Sequence, residues 1–311
     1  MDEHGSVYDG LLAHAGSGAP GDESQWAFGT SFEDPLAGVD TTLPDGVDAH
    51  VLAAYSLTLG DDALVLSHRL AQWASRAPDL EEDIALANVA LDLLGQARLL
   101  LARAAAADPG LVPELPEGSP VPQEDALAFF RDERAFRNVR LVEQENGDFA
   151  VTVVRLLLAS TVRLAVCQRL VGSRDQVLAA IAAKAVKELT YHRDHAGRWC
   201  VVLAQGTPES RRRLMAGLSL VWPWREELLT THPLERAAAE QGIGVGPADV
   251  AAEVDAVLDQ VLAAADVARP DLPPAGLVSG GAGRDGRHTE AMGPLLAEMQ
   301  VVARAHPRGR W

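Results

Sequence analysis

The sequence predicts an all-α protein, an antiparallel four-helix bundle with additional peripheral helices. Three observations carry this reading. Ala and Leu crowd a chain that is only 5% aromatic, a composition that favours helix over strand. Apolar residues recur at helical spacing between Pro, Gly and capping residues. Neither an alternating strand–helix rhythm nor an internal repeat interrupts that pattern. The 311 residues suffice to bury a core that needs no metal or disulfide to hold it.

Residues 1–45, rich in Gly, Asp, Ser and Pro, show no sustained periodicity and read as a flexible extension. The helical domain then spans 46–311. Its first helix runs from about Asp48 to Ser75 and stops at Pro78. Asp79 caps the second, with Glu82 completing a capping-box pattern and Ile84, Ala87, Leu91 and Leu94 on one face. A third, dense in charge from Arg131 to Arg140, covers about Glu124 to Gln144. The fourth, Phe149 to Val171, is apolar on most sides and so predicted to be buried on most sides. Ser173 with Gln176 opens the fifth, which reaches Gln205; Thr207-Pro208 opens the sixth. Later helices are expected over Arg225–Glu240, Ala248–Val267 and His288–Ala305.

With 27 Lys+Arg against 44 Asp+Glu, the net charge of -17 argues against nucleic acid, whose phosphates need a basic face. Cys167 and Cys200 sit inside apolar helical patterns and read as small core residues of a reducing compartment. Neither a membrane span nor a hydrophobic signal core is expected, so the cytoplasm is the anticipated location.

A long bundle raises one chemical question, whether its inner helices carry a di-iron carboxylate site. Such a site takes two Glu-x-x-His pairs and two further Glu, the i, i+3 spacing aiming each pair at a common centre. Here the first helix offers Asp62, the second Asp92 and the fifth Glu188 and Tyr191. The fourth has no acid between Phe149 and Val171, and neither His of the two pairs is present. The layout therefore reads as a degenerate pseudo-site, Asp62, Asp92, Arg155, Glu188 and Tyr191, the competing reading being that these acids sit on the solvated face. Buried acids without a metal need a cation, and Arg155 is the expected one, ahead of Lys184 and Lys187. Glu188, His192 and His195 share a helix stripe that would suit zinc, but Lys187, Arg193, Asp194 and Arg198 around them favour a solvated face. The glycine-rich stretch 279–290 precedes a helix, and Arg284, Arg287 and His288 in it are candidates for contact with an anion or a partner. Ordinary docking of that loop on the bundle is the competing reading. Gly242-Ile243-Gly244-Val245-Gly246 lacks a preceding strand and reads as a turn.

Several blocks together resemble a known family. They include Leu59-Gly60-Asp61-Asp62, Leu91-Asp92-Leu93-Leu94-Gly95-Gln96-Ala97-Arg98, Phe130-Arg131-Asp132-Glu133, and Glu143-Gln144-Glu145-Asn146-Gly147-Asp148-Phe149. Lys187-Glu188, Tyr191-His192, Trp222-Pro223 and Gly286-Arg287-His288-Thr289-Glu290 continue the series in order. These are similar to the PaaC-type subunits of phenylacetyl-CoA ring 1,2-epoxidases. The resemblance implies a ferritin-like bundle and a structural, non-catalytic role in phenylacetate catabolism. It implies a sister subunit that carries the di-iron centre and epoxidises the ring, and a small accessory subunit. A separate reductase with FAD and an iron–sulfur cluster would deliver electrons from NADPH, touching this chain at most indirectly. The alternatives are that the chain itself binds metal and oxidises a substrate, or that it is a stand-alone helical binding protein.

Overall fold

The computed structural model describes residues 36, 38–278 and 280–309. The chain divides into two compact units at Val39. Of the first, the description covers a turn closed by the Val39 N–H on the Leu36 carbonyl at 3.0 Å. The rest of the expected extension up to residue 35 lies outside the described residues. The second unit begins at Asp40, and its opening strap is fastened rather than free. Arg103 donates to the Thr41 carbonyl at 2.8 Å and Arg174 to that of Asp45 at 2.8 Å.

Four long helices make the bundle: α1 (Ala49–Ala71), α2 (Leu80–Ala107), α5 (Phe149–Leu170) and α6 (Gln176–Gln205). Between and after them come α3 (Gln123–Phe129), the turn α4 (Arg140–Glu143), α7 (Pro208–Val221), α8 (Arg225–Leu229), α9 (Pro233–Glu240), α10 (Ala251–Ala264) and α11 (Met292–Ala305). No strand occurs among the described residues. Helix α1 packs on α2 and α5 on α6, while α2 and α6 close the bundle. Each long helix starts on an aspartate whose carboxylate accepts from its first-turn N–H groups: Asp48, Asp79, Asp148 and Asp175.

Burial follows composition. Helix α5 buries 17 of its 22 residues because α6, α7 and α10 cover it on successive sides. Its polar side chains are satisfied inside the helix: Ser160 and Thr161 donate to the carbonyls of Leu156 and Leu157 at 2.6 and 2.7 Å. Helix α2 is apolar too, yet only 12 of its 28 residues are buried. Contrary to the sequence expectation, α2 and α5 are both long and apolar enough to cross a membrane by length and composition. Both are instead built into the bundle.

Four expected helices are cut differently. The charged segment 124–144 is α-helical only over α3 and α4, with a 3-10 turn at Glu133–Ala135 between them, because two of the intervening amides are spent on α1. Arg137 N–H donates to Asp61 at 2.8 Å and Val139 N–H to Asp62 at 2.8 Å, while the Arg131 guanidinium grips Asp61 at 2.5 and 3.0 Å. The segment 225–240 breaks at Thr230–His232, since the residue before Pro233 resists the helical region. His232 and Glu235 then cap α9 reciprocally. The helix expected from Ala248 starts at Ala251, after a 3-10 turn over Pro247–Val250. The one expected from His288 starts at Met292, because His288 and Thr289 are held on Glu143, at 2.7 and 2.5 Å. Two capping details also change. Asp175, not Ser173, caps α6, and the Glu82 carboxylate lies 3.1 Å from His195 instead of closing a capping box.

Candidate functional site

The sequence-derived residues fall into three separate places. Asp62, on α1, lines the bundle interior, where Arg284 holds it with two hydrogen bonds of 2.7 and 2.8 Å. Arg284 also donates to Glu235 of α9 at 3.1 Å. Burial alone would drive its proton off, but Asp62 and Glu235 outweigh that and hold the guanidinium above its usual range. Arg284 and His288 are both buried, so they are spent on the bundle and do not face an incoming anion or partner. Arg287, between them, is half-buried. The glycines make this docking possible. A Cβ at Gly283 would run into the Asn138 carbonyl, and Gly286 takes φ +69° against the Arg134 carbonyl.

Asp92 and Glu188 meet in the seam between α2 and α6. His192 bonds Asp92 at 2.9 Å. Gln96 donates to Glu188 at 2.8 Å and accepts from Arg163 at 2.9 Å. Arg163 also donates to the Leu59 carbonyl at 3.0 Å. Burial raises the Glu188 carboxyl above its ordinary range, against the opposing pull of Gln96 and Lys184. Lys184 stands 3.6 Å from it. His195 lies against Glu82, and Tyr191, itself 52% exposed, stacks on the His195 ring at 5.8 Å. His192 is buried, which the expected solvated face did not anticipate.

Arg155 is elsewhere. It is fully buried, and its guanidinium bonds the Gln144 carbonyl and the Asn146 side chain at the entry to α5. Burial, with Arg69 nearby, brings its pKa down to about 9. It pairs with none of the acids predicted to need it. The compensating cations are Arg284 for Asp62 and, for Glu188, Lys184 with Arg163 acting through Gln96. Arg163 was legible as the other basic residue near the middle of the apolar fourth helix, two turns beyond Arg155. Arg284 had no such signal, since its partners lie 222 and 49 residues away.

This donor set does not suit two irons. Each acid at a ligand position is engaged by a different partner: Asp62 by Arg284, Asp92 by His192, Glu188 by Gln96. Among the described residues no three His, Cys, Asp or Glu side chains converge. Arg163 and Arg284 put cationic groups at the wall of the interior where a cationic centre would stand. What remains there is a cavity of about 60 Å³, lined mainly by aliphatic side chains of all four long helices.

An all-α, ferritin-like bundle whose inner acids are tied to arginine, histidine and glutamine is the class these features define. The chain belongs to the phenylacetic acid catabolic protein family (PaaA_PaaC), which matches residues 40–311. It is 43% identical over 261 residues to the C-type subunit of 1,2-phenylacetyl-CoA epoxidase from Escherichia coli (strain K12), a match covering 84% of this chain and 99% of that protein.

Proposed function

We propose that this chain is the non-catalytic structural subunit of a cytoplasmic, multicomponent monooxygenase that epoxidises phenylacetyl-CoA in phenylacetate catabolism. In this reading a sister subunit holds the di-iron centre, and FAD, an iron–sulfur cluster and NADPH belong to the reductase. The assembly also includes a small accessory subunit. The observation that carries the reading is the fate of the three acids at ligand positions, each bound to a different protein partner. The interior cavity agrees with it: about 60 Å³ is well under the roughly 150 Å³ of an apolar cavity that takes a benzene ring.

Helix α2 offers the surface for pairing. Leu80, Ile84, Leu91 and Leu94 form a bare apolar stripe, with Ile84 54% and Leu91 49% exposed, beside Tyr191 of α6. A helix that is apolar on the face it turns outward fits burial against another helix. The relative is a subunit of a multi-subunit epoxidase, and the occupant we assign to this stripe is the catalytic subunit of such an assembly, presenting helices of its own.

Purification of the catalytic subunit with and without this chain tests the role. The expected result is a stable complex, with epoxidation lost or strongly reduced when the chain is left out. An Ile84→Glu/Leu91→Glu variant should keep its helical circular dichroism and lose the complex. Full epoxidation by the catalytic subunit without this chain would overturn the scaffold role. Stoichiometric iron and turnover in the isolated chain would establish the metal-binding alternative instead.

A further inference from the structure

The cavity at the bundle centre is bounded by Leu66 of α1, Leu93 of α2, Val162 and Cys167 of α5, and Ala182 of α6. These side chains come from all four long helices, and Leu228, Glu235, Val245, Pro247 and Arg284 complete the wall. Its polar neighbours are already committed. Both Asp62 oxygens are taken by Arg284, and the Glu235 oxygens by Arg284 and the His232 N–H. Arg163 donates through Nε to Gln96 and through Nη1 to the Leu59 carbonyl. Among the described residues, none of the buried side-chain nitrogens or oxygens left without a hydrogen-bond partner belongs to a residue lining this space.

Water needs two to four polar partners to leave bulk solvent for an interior site. A chamber whose polar neighbours are satisfied gives it almost none, so filling by water is unfavourable even though about 60 Å³ has room for it. Apolar cavities of this kind stay dry and take apolar guests by dispersion contact with their walls. Size then selects the guest. The space is too small for an aromatic ring and adequate for a single noble-gas atom or a diatomic gas.

We propose that this chamber is a binding site for one small apolar molecule of the size class of xenon or dioxygen. Selection is by volume and dryness: walls that are mainly aliphatic, with their charged members already paired, disfavour ions and hydrogen-bonding solutes, and the small volume disfavours larger guests. Dioxygen is the member of this class that an oxygenase consumes, and that extension alone rests on the function proposed above.

Xenon-129 NMR on the purified full chain tests the site directly, with xenon as the probe. A saturable xenon shift is expected in the parent chain, retained in a Leu220→Ser control on the exposed face of α7. It should vanish in Ala182→Leu, whose isobutyl group occupies the chamber. Should Ala182→Leu fail to fold, Val162→Ile narrows the chamber by one methylene and should weaken xenon binding severalfold. The absence of a saturable component, or one unchanged in the folded filling variant, would overturn the proposal. Ordered water filling the chamber in a crystal under xenon pressure would overturn it too. A chain that binds xenon yet is dispensable for epoxidation would refute the structural-subunit role and leave the chamber standing.

Discussion

Asp62 and Arg284, separated by 222 residues, form a two-pronged ion pair at 2.7 and 2.8 Å in the interior of the protein. The pair ties the last glycine-rich loop to the first helix, and Glu235 extends it to α9. Removing the cation alone leaves two buried carboxylates uncompensated. Arg284→Ala is therefore expected to lower the unfolding free energy by about 3–5 kcal/mol, in the range for breaking one side of a buried pair. Urea denaturation measures it. Adding Asp62→Asn and Glu235→Gln to Arg284→Met should recover much of the loss, because no unpaired charge then remains.

His288 contributes stability with a definite pH sign. Burial works against its charged form, but the Glu143 carboxylate at 2.7 Å and the Phe136 carbonyl outweigh that and raise its pKa above the ordinary 6.5. A histidine with a raised folded pKa stabilises fully below its unfolded value, and the contribution fades as pH rises through the folded value. The stability difference between the parent chain and His288→Gln should thus be largest in mild acid and shrink toward alkaline pH. Parallel urea titrations from about pH 5 to 9 would show it; a difference that grows with pH would contradict the pairing.

Glu188 carries the opposite lesson. Its carboxyl is raised mainly by burial, so the native seam holds the ionised form at a cost near neutral pH. Glu188→Gln keeps a partner for Gln96 and removes that cost. The isolated chain should gain a few tenths to about 1 kcal/mol at neutral pH, discounted for the partial exposure of the seam. The gain should vanish in acid, where Glu188 is protonated anyway. Thermal melts of the two chains at both pH values read this out.

Gly283 is a steric prediction. A methyl group there meets the Asn138 carbonyl head-on, and the Gly283 N–H that bonds Glu227 at 2.9 Å would be displaced with it. Gly283→Ala should cost about 1–3 kcal/mol, as overpacking does, and should raise hydrogen exchange at residues 281–289. Gly276→Ala, with open space around its Cβ position, is the matched control.

The long bundle helices were legible because their periodicity is local: caps at Asp79 and Thr207, punctuation at Pro78 and Gly206, and the apolar run from Phe149. The segment 130–139 was not, because its charged pattern looks like a solvated helix face. Arg131 and the amides of Arg137 and Val139 are instead drawn inward by Asp61 and Asp62, acids that precede them by about 70 residues. The depleted ligand pattern was readable as missing histidines and missing acids. Which cation each acid meets was not, since nothing in local spacing distinguishes Arg155, capping carbonyls at the mouth of α5, from Arg163 eight residues on. Tyr191 carried the right spacing and lies on the outside of the seam. The pairing of acids with partners is fixed by three-dimensional register, which spacing along one helix does not encode.

The position of Arg284 also orders events during synthesis. Asp62, Glu235 and Glu143 all wait for residues 284 and 288, which leave the ribosome well after the four long helices. Until then these carboxylates have backbone or amide donors but lack the charged partners Arg284 and His288, so the nascent bundle is expected to be less stable than the finished one. A message truncated shortly before Gly283 should accordingly yield chains that feed proteolysis instead of assembly, even though all four long helices would be present.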